Sequence, residues 1–189
     1  KTSAAVSVTA EWLGGEKTLL TEIKKLYPID KGVTKYCEPF VGAGEVLFDV
    51  LSNHTFKQVL ITDPNRDLID TYIMVRDKIN ELTTFLVYIG NEYNYLKDEF
   101  KEQYYLKKRE RFNELKRRKL DYETLEKSAL FIFLNKAGFC GVNRDYDTSF
   151  GYKYNPFICN NNILFKDSEL LQNVEIKCAD FSESISFIT

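Results

Sequence analysis

Hydrophobic residues along this 189-residue chain follow two different spacings. Short apolar runs at 34–37, 58–63 and 173–180 have the length and composition of buried strands. Between them, apolar residues recur at helical spacing, as in the predicted helix over 67–78. Strands that alternate with helices predict an α/β fold built on a parallel sheet.

Long helices are predicted for the middle of the chain. Residues 80–120 lack strong helix breakers, and another apolar face predicts a helix over 125–136. The stretch 135–156 then changes to the Gly, Asn, Tyr and Arg composition of a loop. A short helix is predicted over 167–171, directly before the last strand.

The first predicted strand leads into the segment Glu38-Pro-Phe-Val-Gly-Ala-Gly-Glu-Val-Leu-Phe48. Gly42 and Gly44 predict a tight turn that opens a helix, and glycine lets a ligand approach the backbone closely. The free N–H groups and positive dipole end of a helix N-terminus suit a nucleotide-like ligand. A plain packing turn is the alternative interpretation of this Gly-x-Gly pattern.

Asp63 ends the second predicted strand. A carboxylate at this position of an αβ unit can accept hydrogen bonds from ribose hydroxyls. The alternative is that Asp63 only caps the helix that begins near Asp67. The single Trp, Trp12, stands beside a Gly-Gly pair that includes Gly14, and predicts either a core residue or the flat wall of a purine or cofactor pocket.

Composition limits the classes of protein that fit. The net charge of −2 gives no global attraction to nucleic acid, and 44% hydrophobic residues are ample for a core. No Cys-x-x-Cys spacing occurs and the only histidine is His54, so we expect no metal site and no disulfide framework. No apolar run approaches about 18 residues, so we expect a cytoplasmic protein without a membrane span.

A basic run interrupts this mildly acidic chain. Residues 101–119 hold nine Lys or Arg against three Glu, a local charge of +6, and include Arg117 and Arg118. A solvated helix face is the common explanation, and a surface that follows DNA phosphates is the alternative. The aromatic and Arg content of the 135–156 loop suits base stacking and a contact to guanine, unless the loop is a plain aromatic surface loop.

Four motifs stand in the order found in one family: Trp12-Leu-Gly-Gly, Glu38-Pro-Phe-Val-Gly-Ala-Gly, Ile61-Thr-Asp-Pro-Asn, and Phe131-Ile-Phe-Leu-Asn-Lys followed by Phe139-Cys-Gly-Val-Asn-Arg. They resemble the Dam-type (D12 class) DNA adenine methyltransferases, which use S-adenosylmethionine. The resemblance implies a Rossmann-like methyltransferase fold with a partial sheet and an inserted, mainly helical DNA-recognition lobe. It implies a cofactor-binding α/β portion at 1–79, the lobe at 80–165, and a return to the sheet at 166–189.

The resemblance also implies roles for single residues. Trp12, Gly14, Phe40 and the turn from Gly42 to Gly44 are expected to enclose the cofactor, Asp63 to hold its ribose hydroxyls, and Asp180 to lie with them at the end of the last strand. Double-stranded DNA is the expected partner. Residues expected to contact DNA are the wedging aromatic Phe139, the guanine-reading Arg144, Asn143, Arg117 and Arg118.

One departure from the family concerns catalysis. The four prolines Pro28, Pro39, Pro64 and Pro156 are not adjacent, so the family's Asp-Pro-Pro-Tyr is absent from these 189 residues. In the family this motif holds the flipped adenine through its amino group and stacks on its ring. We therefore expect no catalytic residue in this chain and no methyl transfer by it alone. A truncated product, or a split subunit completed by a second polypeptide, is the corresponding expectation.

Smaller departures leave alternatives open. Glu11 and Glu16 stand where the family usually has Lys, and Cys140 replaces the usual Asn. A non-catalytic module that binds DNA or cofactor is one alternative to the methyltransferase. Another nucleotide-binding α/β enzyme, such as a dehydrogenase, is the second alternative, although Leu47 occupies the place of the third glycine of the dinucleotide fingerprint.

Overall fold

A computed structural model of the chain describes residues 16–28, 32–138, 156 and 158–188. Its sheet consists, within these ranges, of three parallel strands in the order β1-β2-β3. The strands are β1 Lys35–Glu38, β2 Gln58–Asp63 and β3 Val174–Cys178. The predicted α/β fold with a parallel sheet is therefore confirmed.

Helices surround this sheet and form most of the described chain. Their bounds are α1 Glu16–Lys24, α2 Glu45–Asn53, α3 Arg66–Asp77, α4 Ile79–Tyr95, α5 Asp98–Arg118, α6 Thr124–Ala137, α7 Asn161–Leu171 and α8 Ile185–Ile188. Two 3₁₀ turns, η1 at Asp121–Glu123 and η2 at Phe181–Ser184, precede α6 and α8. In the part of the chain described here, none of the helices has the length and apolar character needed to cross a bilayer.

The start of α7 differs from the sequence prediction. We expected a short helix over 167–171, but α7 begins six residues earlier, at Asn161. The side chain of Asn160 accepts a hydrogen bond from the Ile163 N–H and caps the helix. The Asn residues that precede the predicted helix therefore include its cap, Asn160.

The connections between the strands place the functional loops at one edge of the sheet. Helix α2 joins β1 to β2, and helices α3 to α7 all lie between β2 and β3 in the chain. Because the strands are parallel, Glu38, Asp63 and Cys178 end them at the same edge. Ligand-binding groups of open α/β sheets lie at this carboxyl edge.

Helix α6 is buried on every side, whereas its sequence predicted one apolar face. Phe131 and Ile132, outside the predicted face, are as buried as Ala129 and Phe133. The reason is that α6 packs between α3, α4 and α5. The Phe133 ring meets Tyr93 edge-on, with ring centroids 5.4 Å apart. The helices and the sheet therefore share one continuous hydrophobic core.

A carboxyl group is buried in this core on α7. Asp167 is 2% exposed, and its Oδ2 has no hydrogen-bond partner among the described residues. Burial raises the pKa of Asp167 to about 7, against only a weak opposing effect of Lys166. Because its folded pKa exceeds its unfolded pKa, the native state binds more protons between about pH 4 and pH 7. The carboxyl therefore lowers stability as the pH rises through this window.

Replacement of Asp167 by Asn tests this effect. The variant cannot ionise, so its unfolding free energy relative to wild type is expected to increase by about 1–3 kcal/mol from pH 5 to pH 8. Urea unfolding at both pH values measures the difference. Glu169→Gln, an exposed carboxyl on the same helix, is the matched control. A stability difference that stays constant with pH would contradict the assignment.

Candidate functional site

The glycine turn between β1 and α2 has the conformation that its sequence predicted. Gly42 and Gly44 have positive φ angles of 47° and 77°. A Cβ atom on Gly44 would collide with the Tyr72 hydroxyl and the Phe48 ring, so both space and backbone favour glycine. The Tyr72 hydroxyl donates a hydrogen bond to the Gly42 carbonyl at 3.0 Å. Helix α3 therefore supports the turn through the side chain of Tyr72.

Asp63 connects this turn to the end of β2. Its Oδ2 accepts a hydrogen bond from the Gly42 N–H at 3.2 Å, and its Oδ1 accepts one from the Asn65 N–H at 2.9 Å. The cap of α3 is Asn65, whose side chain accepts hydrogen bonds from the first N–H groups of the helix. The alternative that Asp63 caps this helix is therefore wrong. Each carboxylate oxygen keeps lone pairs for further donors.

The end of β3 lies next to Asp63. The Ala179 N–H donates to the Asp63 carbonyl at 3.3 Å, which brings Asp180 to the same edge of the sheet. Asp180 is exposed and caps η2 by accepting hydrogen bonds from the Ser182 N–H and hydroxyl. These bonds hold the pKa of Asp180 below its usual value, so it is ionised at neutral pH. The structure thus brings Gly42, Asp63 and Asp180 together.

Two exposed aromatic rings stand at this edge. Phe40 and Phe181 have ring centroids 5.5 Å apart and are 62% and 51% exposed. The buried Thr62 hydroxyl fixes their backbones, since it donates to the Pro39 carbonyl at 3.1 Å and lies 3.3 Å from the Ser184 hydroxyl. The pair therefore offers flat apolar area beside the glycine turn.

A small cavity of about 180 Å³ opens on the glycine turn. Leu20 and Ile23 of α1, Glu38, Phe40 and the turn itself line it. Burial raises the pKa of Glu38 to about 7, although a 2.6 Å hydrogen bond from the Tyr36 hydroxyl opposes the shift. A cation placed in this cavity would favour the ionised form of Glu38.

Several predicted site residues lie outside the described residues. They are Trp12, Gly14, Phe139, Asn143 and Arg144. Their assignment to the cofactor pocket and to DNA contacts stays a prediction from the sequence.

The basic run is engaged by carboxylates from outside it. Five of its cations pair with such carboxylates: Lys101 with Asp98, Lys108 with Glu92, Arg111 with Glu126, Lys116 with Asp67 and Arg118 with Glu123. Lys101 is even buried, at 2% exposure. The Lys101 pair is internal to α5, whereas the other four join α5 to α3, α4, η1 and α6, although Lys116 and Arg118 remain partly exposed to solvent.

A groove on α5 gathers other members of the basic run. It has a volume of about 1030 Å³, and its lining combines the apolar Phe100, Tyr104 and Leu106 with the basic Lys107, Arg109 and Arg117. Arg117 thus lies in the groove, whereas Arg118 is bound to Glu114 and Glu123. Aromatic and basic side chains on one surface are typical of nucleic-acid contacts.

Sequence reasoning missed three contributors to this geometry. Tyr72 lies in the predicted helix over 67–78, but the sequence did not indicate that its hydroxyl supports the glycine turn. Phe181 and Ser184 follow the last strand as part of a short polar stretch, and no periodic pattern marks them. A residue that acts through a partner more than 100 positions away, as Ser184 does with Thr62, leaves no local signal.

The sequence of the chain is similar to those of known proteins. The sequence pattern of the D12 class N6 adenine-specific DNA methyltransferases matches residues 12–188. The chain is 36% identical over 179 residues to the type II methyltransferase M.MjaIII of Methanocaldococcus jannaschii, covering 90% of this chain and 61% of that protein. It is 30% identical over 185 residues to the DNA adenine methylase of Haemophilus influenzae, covering 94% and 58%.

The chain is also 28% identical over 181 residues to the DNA adenine methylase of Escherichia coli K12. The aligned residues cover 93% of this chain and 58% of that protein. The chain therefore spans about three fifths of the length of these curated relatives. Its glycine turn, strand-end carboxylate and parallel sheet all fall within the matched region. The chain belongs to the D12 class of N6 adenine-specific DNA methyltransferases.

Proposed function

We propose that this chain supplies the cofactor-binding and DNA-recognition parts of an enzyme that methylates the amino group of adenine in double-stranded DNA. The observation that carries the proposal is the hydrogen bond from the Gly42 N–H to Asp63, which assembles the glycine turn and the strand-end carboxylate at the carboxyl edge of the sheet. Family membership makes S-adenosylmethionine the expected cofactor.

The described residues fit this cofactor. Asp63 has acceptor capacity left for two ribose hydroxyls, and Phe40 and Phe181 offer flat area for the adenine ring. Glu38 stands beside the cavity at the glycine turn, where its carboxylate attracts a cationic group. When bound, S-adenosylmethionine would supply a methyl group activated by its positive sulfur. The task of these side chains is to bind and orient the cofactor.

DNA is proposed to lie against the α5 groove and the predicted 139–144 contacts. Lys107, Arg109 and Arg117 supply positive charge there for phosphates, which give affinity without sequence preference. Arg144 is assigned the contact to guanine because of the family resemblance and the bidentate geometry of arginine.

The missing Asp-Pro-Pro-Tyr favours a second candidate function. In it the chain binds cofactor and DNA but transfers no methyl group, because nothing holds the adenine amino group. A segment of the same polypeptide in a longer protein, or a second polypeptide, would complete the first function. The two candidates share both binding surfaces and differ only in transfer.

Cofactor binding is predicted to depend on Asp63. Asp63→Ala removes the ribose acceptor and the support of Gly42, so affinity for S-adenosylhomocysteine should fall by about 1–3 kcal/mol. Calorimetry with Asp121→Ala, an exposed acid on η1, as matched control measures this loss. Equal affinities of wild type and Asp63→Ala would remove the ribose assignment. Tighter binding of NAD would favour the dehydrogenase alternative.

The 189-residue chain alone is predicted not to methylate DNA. Incubation with tritiated S-adenosylmethionine and an adenine-containing duplex should give label no higher than background. The DNA adenine methylase of Haemophilus influenzae serves as the active control. Steady transfer by the pure chain would disprove this prediction, and Asp180→Asn would then test whether Asp180 holds the adenine amino group.

Two neighbouring arginines, Arg117 and Arg118, are predicted to contribute differently to DNA affinity. Arg117→Ala should weaken binding to all duplexes and reduce the salt dependence by about one phosphate contact, because Arg117 lines the groove. Arg118→Ala is the matched control and should change the salt dependence less, since Arg118 is paired with Glu114 and Glu123. Fluorescence anisotropy at about 50 mM salt measures both.

The same assay tests Arg144. Arg144→Ala should cost about 1–3 kcal/mol on a GATC duplex and little on a scrambled duplex. An equal loss on both duplexes would reduce Arg144 to a phosphate contact. No duplex binding by wild type would support the solvated-helix interpretation of the basic run.

A further inference from the structure

Four charged side chains join the start of α3 to α5 and α6. We call them the α3 cluster: Asp67, Asp70, Lys116 and Lys127. Lys127 Nζ lies 3.2 Å from Asp67 Oδ1 and 2.8 Å from Asp70 Oδ2, and Lys116 Nζ lies 3.1 Å from Asp67 Oδ2. Both carboxylates are 5% exposed, whereas the Lys116 side chain is 50% exposed, so the cluster is a partly buried contact between helices.

The turn of α3 that carries this cluster is also bonded to the cofactor side. Asp63 Oδ1 accepts the Asn65 N–H at 2.9 Å, and the Asn65 side chain accepts the N–H groups of Asp67 and Leu68 at 3.1 and 3.3 Å. A continuous series of hydrogen bonds therefore leads from Gly42 through Asp63 and Asn65 to Asp67 of the α3 cluster.

The cluster holds these helices more specifically than apolar contacts do. Burial alone would lower the pKa of Lys127, but the hydrogen bonds and charges of Asp70 and Asp67 outweigh it, so the pKa is raised. Asp70 also binds the exposed Arg66 through its Oδ1 at 2.7 Å. Loss of Lys127 would therefore leave the two buried carboxylates only Arg66 and the partly exposed Lys116 as partners. Apolar side chains in van der Waals contact tolerate small shifts, whereas Lys127 must stay within reach of two carboxylates at once. The cluster therefore restricts where α3 begins relative to α5 and α6.

We propose that the α3 cluster couples cofactor binding at Asp63 to DNA binding on the α5 side. Its four members are positioning residues that act through Asn65 and the helix backbones. This inference rests on the proposed function of the two surfaces. A ligand that fixes α3 relative to α5 and α6 strengthens binding at the other surface, and by thermodynamic linkage the strengthening is reciprocal.

Calorimetry measures this coupling directly. The affinity for S-adenosylhomocysteine is determined without DNA and with a saturating GATC duplex, for wild type and for D67N/D70N/K127M. The triple variant keeps similar side-chain volumes, and the two cations that lose these partners, Lys116 and Arg66, are partly exposed, so the variant is expected to fold. Wild type should gain about 5-fold or more in affinity when DNA is bound, and the triple variant should gain less than about 2-fold.

Two further variants separate positioning from plain stability. Lys127→Arg keeps the charge and should retain the wild-type gain. Arg111→Met removes the 2.8 Å ion pair to Glu126, which joins α5 to α6 without touching α3, and should also retain it. A thermal midpoint measured for each variant reports any loss of stability separately from the coupling.

Four outcomes decide the inference. Loss of the gain in the triple variant alone supports it. A lowered thermal midpoint with the full gain retained would overturn it, because the cluster would then serve stability only. Wild type that binds both ligands without any gain would also overturn it and would leave the proposed function intact, whereas wild type that binds neither ligand would refute both.

Discussion

The hydrogen bond between the Gly42 N–H and the Asp63 carboxylate is the contact on which the carboxyl edge of the sheet depends. It joins the turn after β1 to the end of β2. Strands β1 and β2 are parallel, so a short hairpin cannot connect them. A hydrogen bond to a charged group contributes about 1.5–3 kcal/mol, more than a neutral one. Two buried side chains stabilise the same edge: the Tyr72 hydroxyl donates a hydrogen bond to the Gly42 carbonyl, and the Thr62 hydroxyl donates one to the Pro39 carbonyl.

The charged side chains of the basic run have two different surroundings: some are paired with carboxylates and others line the groove on α5. The basic run looked in sequence like a surface stripe, but Glu92, Asp98, Glu126, Asp67 and Glu123 bind five of its cations. Of the other cations of the run, Lys107, Arg109 and Arg117 line the groove beside aromatic side chains, whereas Lys119 lies outside it. Under the proposed function, a short groove with a few cations would contact a limited stretch of the DNA backbone.

Two carboxyl groups, Glu38 and Asp167, stay in environments that raise the pKa of each to about 7. Both lower stability as the pH rises, since each native carboxyl binds protons that the unfolded chain has released. Glu38 lies at the candidate site, where such a cost is common because binding groups are kept ready for a ligand. Asp167, on α7, is buried in the protein core, and its Oδ2 has no hydrogen-bond partner among the described residues.

The sequence by itself determined the elements that depend on local pattern. Apolar patterning located the three strands and helices α3 and α6, and two glycines located the turn, because each of these signals lies within a few neighbouring residues. The order of four such motifs along the chain indicated the family. The pattern did not predict the start of α7 or the division of the helical region 80–120 into α4 and α5. The tertiary structure alone decided which partners those elements meet. Asn65 rather than Asp63 caps α3, α6 is buried all round, and Arg118 is paired while Arg117 lines the groove. The burial of α6 depends on helices α3, α4 and α5, which surround it only in the folded chain. The Asn65 cap and the ion pairs of Arg118 are local contacts, but the sequence offers several local partners and only the folded backbone selects among them.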